Sequence, residues 1–166
     1  MEWGRSQQTR RARRRKPPAP SLSRSNLISG LAIGISPGRA EKSGEQGHGT
    51  NSIRRVMDGC VVEENFSGGD SMPLRGMSLS TFDARAQKWK QTWVDNEGGY
   101  LDFVGEFRDG HMILAREATA KDRRQVLQRM VFKNISAKDL DWSWERSLDG
   151  GKTWQVVWPI HYKRKI

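Results

Sequence analysis

The sequence predicts an all-β fold, an antiparallel up-and-down barrel that follows a disordered basic N-terminal tail. Three observations lead there. From about Asn51 onward, short segments rich in β-branched and aromatic residues alternate with turns built on Gly, Asp and Asn. The connections between those segments are short, so neighbouring strands pair antiparallel. Nine strands in one flat sheet would expose two edges, and rolling the sheet into a barrel removes them. A two-sheet sandwich is the main alternative architecture.

The tail comes first. Residues 1–39 read as tail and residues 40–166 as the barrel domain. The first 50 residues hold ten Lys/Arg against three Asp/Glu, and the remainder nineteen against sixteen, so most of the net charge of +10 belongs to the start of the chain. An Arg-, Ser-, Pro- and Gly-rich composition buries too little apolar surface to order itself. The run Arg10, Arg11, Arg13, Arg14, Arg15 and Lys16 has no interleaved aromatics, and supports at most a weak, non-specific, salt-sensitive contact with a polyanion. The apolar stretch 27–35 is diluted by glycine and separated from that run by Pro17, Pro18 and Pro20, a poor export signal. The reading favours a cytoplasmic over an exported protein. No run of about 18 apolar residues offers a membrane span. Leu31, Ile33 and Ile35 do alternate as in a strand, with Gly34 and Pro37 counting against one.

The expected strands are 52–57, 61–66, 76–83, 88–94, 100–107, 111–118, 125–133, 141–147 and 153–163. Between them stand turn signals such as Asp95-Asn96-Glu97-Gly98-Gly99, Arg108-Asp109-Gly110 and Leu148-Asp149-Gly150-Gly151. Residues 118–128 have a helix-like composition with poor apolar spacing, so no helix is expected. Cys60, the single cysteine, excludes an intramolecular disulfide; beside Val61 and Val62 it reads as a small buried hydrophobe.

Alternation assigns the faces. Trp89, Gln91 and Trp93 share one face, and Trp142, Trp144 and Arg146 another. In the last strand Trp154, Val156, Trp158, Ile160 and Tyr162 fall together, opposite His161. A barrel interior would thus be lined by indoles with a few polar groups. That lining is the candidate ligand-binding set: Trp89, Gln91, Trp93, Trp142, Trp144, Arg146, Trp154 and Trp158. The function it suggests is binding of a small apolar ligand, with Gln91 or Arg146 meeting its polar end. The alternatives are a barrel enzyme of isomerase or cyclase type and a filled barrel that is structural or binds a partner.

Two stretches, Arg54-Arg55-Val56-Met57-Asp58-Gly59-Cys60-Val61-Val62-Glu63-Glu64 and Lys90-Gln91-Thr92-Trp93-Val94-Asp95-Asn96-Glu97-Gly98-Gly99-Tyr100, resemble an uncharacterised bacterial domain-of-unknown-function family with a lipocalin-like (calycin) barrel. The ending Trp144-Glu145-Arg146-Ser147-Leu148-Asp149-Gly150-Gly151-Lys152-Thr153-Trp154 fits the same family. The resemblance spans about residues 40–164 and implies a fold, with no reaction or catalytic residue to carry over. It also implies a Trp-containing first strand just before the equivalent of Gly49-Thr50-Asn51, where this chain reads as tail. The barrel is therefore expected to have a weak seam.

Chemistry-bearing motifs are sparse. The segment from Ser147 to Trp154 also matches an Asp box, a motif that sialidase-type propellers repeat in every blade; one copy in a chain this short reads as a hairpin. His48, His111 and His161 are isolated, without zinc-ligand spacing, and no cofactor is expected. His161 stands on a late strand, where haem barrels of the nitrobindin type take their iron ligand, yet the glycine-rich motif of those proteins is missing and alternation turns it away from the indoles. Glu63/Glu64, Asp102/Glu106 and Glu145 are strand carboxylates that read as exposed charges. No catalytic set is assigned.

Overall fold

The computed structural model describes residues 31–35, 47–70, 72–120 and 122–164. Its strands run β1 Leu31–Ile35, β2 Gly47–Val56, β3 Val61–Ser67, β4 Arg75–Asp83, β5 Lys88–Asp95, β6 Tyr100–Arg108, β7 His111–Thr119, β8 Gln125–Lys133, β9 Asp139–Ser147 and β10 Gln155–Arg164. All nine expected strands are present as β2 to β10, paired antiparallel in chain order. Residues 118–128 form the end of β7, a turn and the start of β8, and the described residues contain no helix. None is therefore long and apolar enough to cross a membrane.

Turn chemistry sets the register. Asp109 and Gly110 join β6 to β7 with φ of 51° and 79°, the two successive left-handed residues that a tight hairpin with right-handed strand twist requires. Between β5 and β6, Asp95 closes its own loop: Oδ1 accepts from the amides of Glu97 (3.0 Å) and Gly99 (2.8 Å), and Oδ2 from the Trp93 indole (3.0 Å). Cys60 lies in the β2–β3 turn and is exposed, which corrects the expectation of a buried thiol. Its neighbour Val62 takes the buried position instead.

The seam is closed by β1. It pairs with β10 on one side and β2 on the other, with Ile33 opposite Tyr162 and Gly49 and with Ile35 opposite Ile160 and Gly47. A strand thus stands within the stretch that reads as tail, at the alternating Leu31, Ile33 and Ile35. The basic run from Arg10 to Lys16 lies outside the described residues.

A second departure is in β10. The ladder with β9 shifts register between Val156 and Trp158, a bulge that moves one residue out of the alternation. Trp158, Ile160 and Tyr162 face the interior with Val157 at the rim, while Val156 is 50% exposed. Trp154 precedes the strand in the β9–β10 hairpin, where its indole donates to the Gly151 carbonyl (3.1 Å) and Arg129 stacks on its ring. The five residues expected on one face are therefore split.

That hairpin is held by Asp149. Oδ1 accepts from Ser147 Oγ (2.7 Å) and the Thr153 amide (2.9 Å), and Oδ2 from Thr153 Oγ1 (2.5 Å). The Thr153 hydroxyl and amide, then Ser147, hold the Asp149 carboxyl down at about 2. Lys90 and two backbone amides do the same for Asp83, also to about 2. A carboxylate whose folded pKa is depressed contributes stability above its unfolded value, and that contribution is lost as pH falls toward the folded one. The melting temperature is therefore expected to fall between about pH 4 and pH 2, the window from the unfolded carboxylate value downward. Asp149→Asn should flatten that fall, measured by thermal melts across the window; an identical slope would contradict the assignment.

Candidate functional site

Most of the core lies on the inner faces of the strands, which is what alternation dictates when outer faces meet water. Val62 and Phe66 from β3, Phe103 from β6, Leu114 from β7, Met130 from β8 and Ile160 from β10 are all buried there. Toward the end carrying the β2–β3 and β4–β5 turns the interior is packed, with Trp89 against Phe82 at 5.6 Å between ring centroids. Toward the end carrying the β3–β4 and β5–β6 loops it opens into a cavity of about 380 Å³.

Aromatic side chains form much of the cavity wall. Trp93, Trp142, Trp144 and Trp158 line it together with Phe66, Phe103 and Phe132. The rings meet edge to face: Trp142 and Trp158 at 5.4 Å and 87°, Phe103 and Trp144 at 5.8 Å and 87°, Phe66 and Trp158 at 6.0 Å and 89°. Such contacts hold indoles in place without stacking them shut. Trp93 also owes its position to Gly76, because a Cβ there would fall on the indole ring.

A polar chain crosses one wall. Glu64 on β3 lines the cavity beside Tyr162, with Asn51 on β2 and Ser78 on β4 flanking its carboxylate. Its Oε1 accepts from Asn51 Nδ2 (2.6 Å) and its Oε2 from Ser78 Oγ (2.7 Å). Ser78 accepts in turn from Gln91 Nε2 (3.0 Å), and Asn51 Nδ2 also reaches the Tyr162 hydroxyl at 3.4 Å. The directions follow from chemistry: an ionised carboxylate only accepts, so both neighbours must present donors to it. The amide oxygens of Asn51 (Oδ1) and Gln91 (Oε1) are buried without a hydrogen-bond partner among the described residues, as are the Trp158 indole nitrogen and Arg116 Nε. Burial, and then the charge of Glu64, raise the Tyr162 phenol far above its ordinary value, so it stays neutral.

On β7, four strands from Glu64, Arg116 turns inward. Its Nη1 donates to Gln128 Oε1 (2.8 Å) and its guanidinium lies 6.0 Å from the Phe103 ring centre.

The eight residues expected to form the site divide. Trp93, Trp142, Trp144 and Trp158 come together on the cavity wall. Trp89 is buried in the packed end, and Gln91 stands behind Ser78 in the polar chain. Arg146 is exposed toward the rim and donates to Gln155 (3.0 Å). The β10 bulge leaves Trp154 outside the barrel wall, over Arg129. Sequence reasoning left Asn51 and Tyr162 out of the ligand-binding set and read Glu64 as an exposed charge, whereas Glu64 and Tyr162 both line the cavity. The signal for Glu64 was present, since it shares the alternation of Val62 and Phe66, both buried. His161 lies on the outer face, where its Nδ1 meets Asp141 at 2.7 Å. Among the described residues no group of three His, Cys, Asp or Glu side chains is placed to hold a metal ion.

No curated protein matches the chain. A family described as protein of unknown function, DUF1579, matches residues 36–164, across β2 to β10 and the whole cavity wall. The domain-of-unknown-function resemblance and the barrel fold thus stand together: this chain belongs to the DUF1579 family.

Proposed function

We propose that this barrel binds a small, mainly apolar molecule in the cavity ringed by Trp93, Trp142, Trp144 and Trp158. The observation that carries the reading is the cavity itself, about 380 Å³ in a barrel this rich in large aromatic side chains. Ligand sites commonly span roughly 300–1,000 Å³, with apolar walls and a few fixed polar groups. The wall supplies both, through the indoles and through Glu64, whose carboxylate Asn51 and Ser78 hold in place. Edge-to-face packing keeps the indoles in place in the absence of a ligand, which limits the ordering cost of binding.

The test uses N-phenyl-1-naphthylamine, a neutral fluorescent probe, titrated into the full chain. Saturable binding of one probe per chain is expected, with energy transfer from tryptophan. Leu101→Trp, which places an indole in the cavity, should weaken that binding at least tenfold. The absence of saturable binding, or equal binding by the Leu101→Trp variant, would reject the reading.

A further inference from the structure

We infer that the ligand is a cation carried on an apolar body, an amine or quaternary ammonium group, with Glu64 as its counter-charge. This rests on the binding reading above and adds the chemical class. The charged side chains lining the cavity are Glu64, Asp95 and Glu97, all acidic in a chain whose net charge is +10. Basic side chains are abundant in this protein, yet none lines this cavity.

Glu64 is oriented but not neutralised. Asn51 and Ser78 fix its two oxygens at 2.6 and 2.7 Å, and among the described residues no Lys, Arg or His forms an ion pair with it. Arg116, which also turns inward, is directed to Gln128 and the Phe103 ring instead. A carboxylate on an apolar wall is costly without a partner charge, so a cationic ligand gains what an anionic or neutral one does not. The surrounding indoles add attraction for a positive charge, since tryptophan has the strongest such ring face.

A matched decyl series tests this on the full chain: decylamine, decyltrimethylammonium, decanol and decanoate, each followed by calorimetry and tryptophan fluorescence. Decylamine and decyltrimethylammonium should bind at least tenfold tighter than decanol, and decanoate weakest of all, against the sign of the chain's overall charge. Glu64→Gln should bring decylamine to within about twofold of decanol while decanol binding persists, which also shows that the variant is folded. If that variant does not fold, the wild-type ranking decides alone. Decanoate binding as tightly as decylamine, or a cation preference that survives Glu64→Gln, would overturn the inference while leaving the cavity-binding reading intact. Failure of all four ligands and of the naphthylamine probe would overturn both.

Discussion

Removing residues 1–38 is expected to lower the melting temperature by about 10 °C and to produce soluble oligomers. The deletion takes away β1, which pairs along five residues with each of β2 and β10. What remains is an open sheet whose exposed edges run through Gly47–Asn51 and Ile160–Arg164. A net loss of about 2–3 kcal/mol is expected, because β1 is bonded along both sides, each ladder hydrogen bond contributes about 1 kcal/mol, and ordering each of its residues costs roughly 1–2 kcal/mol. For a chain of this size that is roughly 10 °C. Free edges also recruit other chains, which size-exclusion chromatography would reveal. Removal of residues 1–30 alone, which leaves β1 in place, is the control. If both truncations melt alike and both elute as the full-length chain does, β1 does not close the barrel.

Replacing Arg129 by Met should destabilise the barrel by about 3 kcal/mol, among the largest single effects available outside the core. Arg129 on β8 and Glu145 on β9 stand opposite each other on the outer face, with Nη2 to Oε2 at 2.6 Å and Nε to Oε2 at 2.7 Å. Ser143 Oγ donates to the second carboxylate oxygen at 2.8 Å, and the Trp154 ring covers the guanidinium at 3.8 Å. Glu145 is consequently only 7% exposed although it points away from the barrel interior. Without Arg129 it becomes a buried charge with one hydroxyl for a partner, and the loss of the Arg–Trp contact adds to the cost. Glu145→Leu in the Arg129→Met background should recover more than half of the loss in urea melts. Strict additivity of the two substitutions would show that the pair is not coupled.

These two predictions concern features of unequal visibility in the sequence. The nine strands were legible because turn residues punctuate them and because β-branched and aromatic residues fill them. Asp109-Gly110 and Asp95 through Gly99 act where they stand, through local backbone geometry. The Asp149 hairpin was legible for the same reason, since all its bonds fall between Ser147 and Trp154. The burial of Glu145 was not. It needs Arg129 from the neighbouring strand and Trp154 from the next hairpin, and no spacing within β9 records either.

The cavity was legible in part. Alternation placed Trp93, Trp142 and Trp144 correctly, because β5 and β9 keep an unbroken two-residue period. It misplaced Trp154, because the bulge between Val156 and Trp158 shifts the phase and leaves Trp158 facing in. Arg146 followed the alternation of Trp142 and Trp144 but lies high enough on β9 to reach Gln155 and solvent.

By itself, the sequence determined an antiparallel barrel of nine punctuated strands with indoles turned inward, since propensity, period and turn chemistry are properties of neighbouring residues. The tertiary structure alone decided that β1 closes the seam and that Gln91, Ser78, Glu64, Asn51 and Tyr162 form one polar chain around a cavity. Those five residues come from five different strands, and their contacts arise from the register between strands, which pairing across the whole barrel sets.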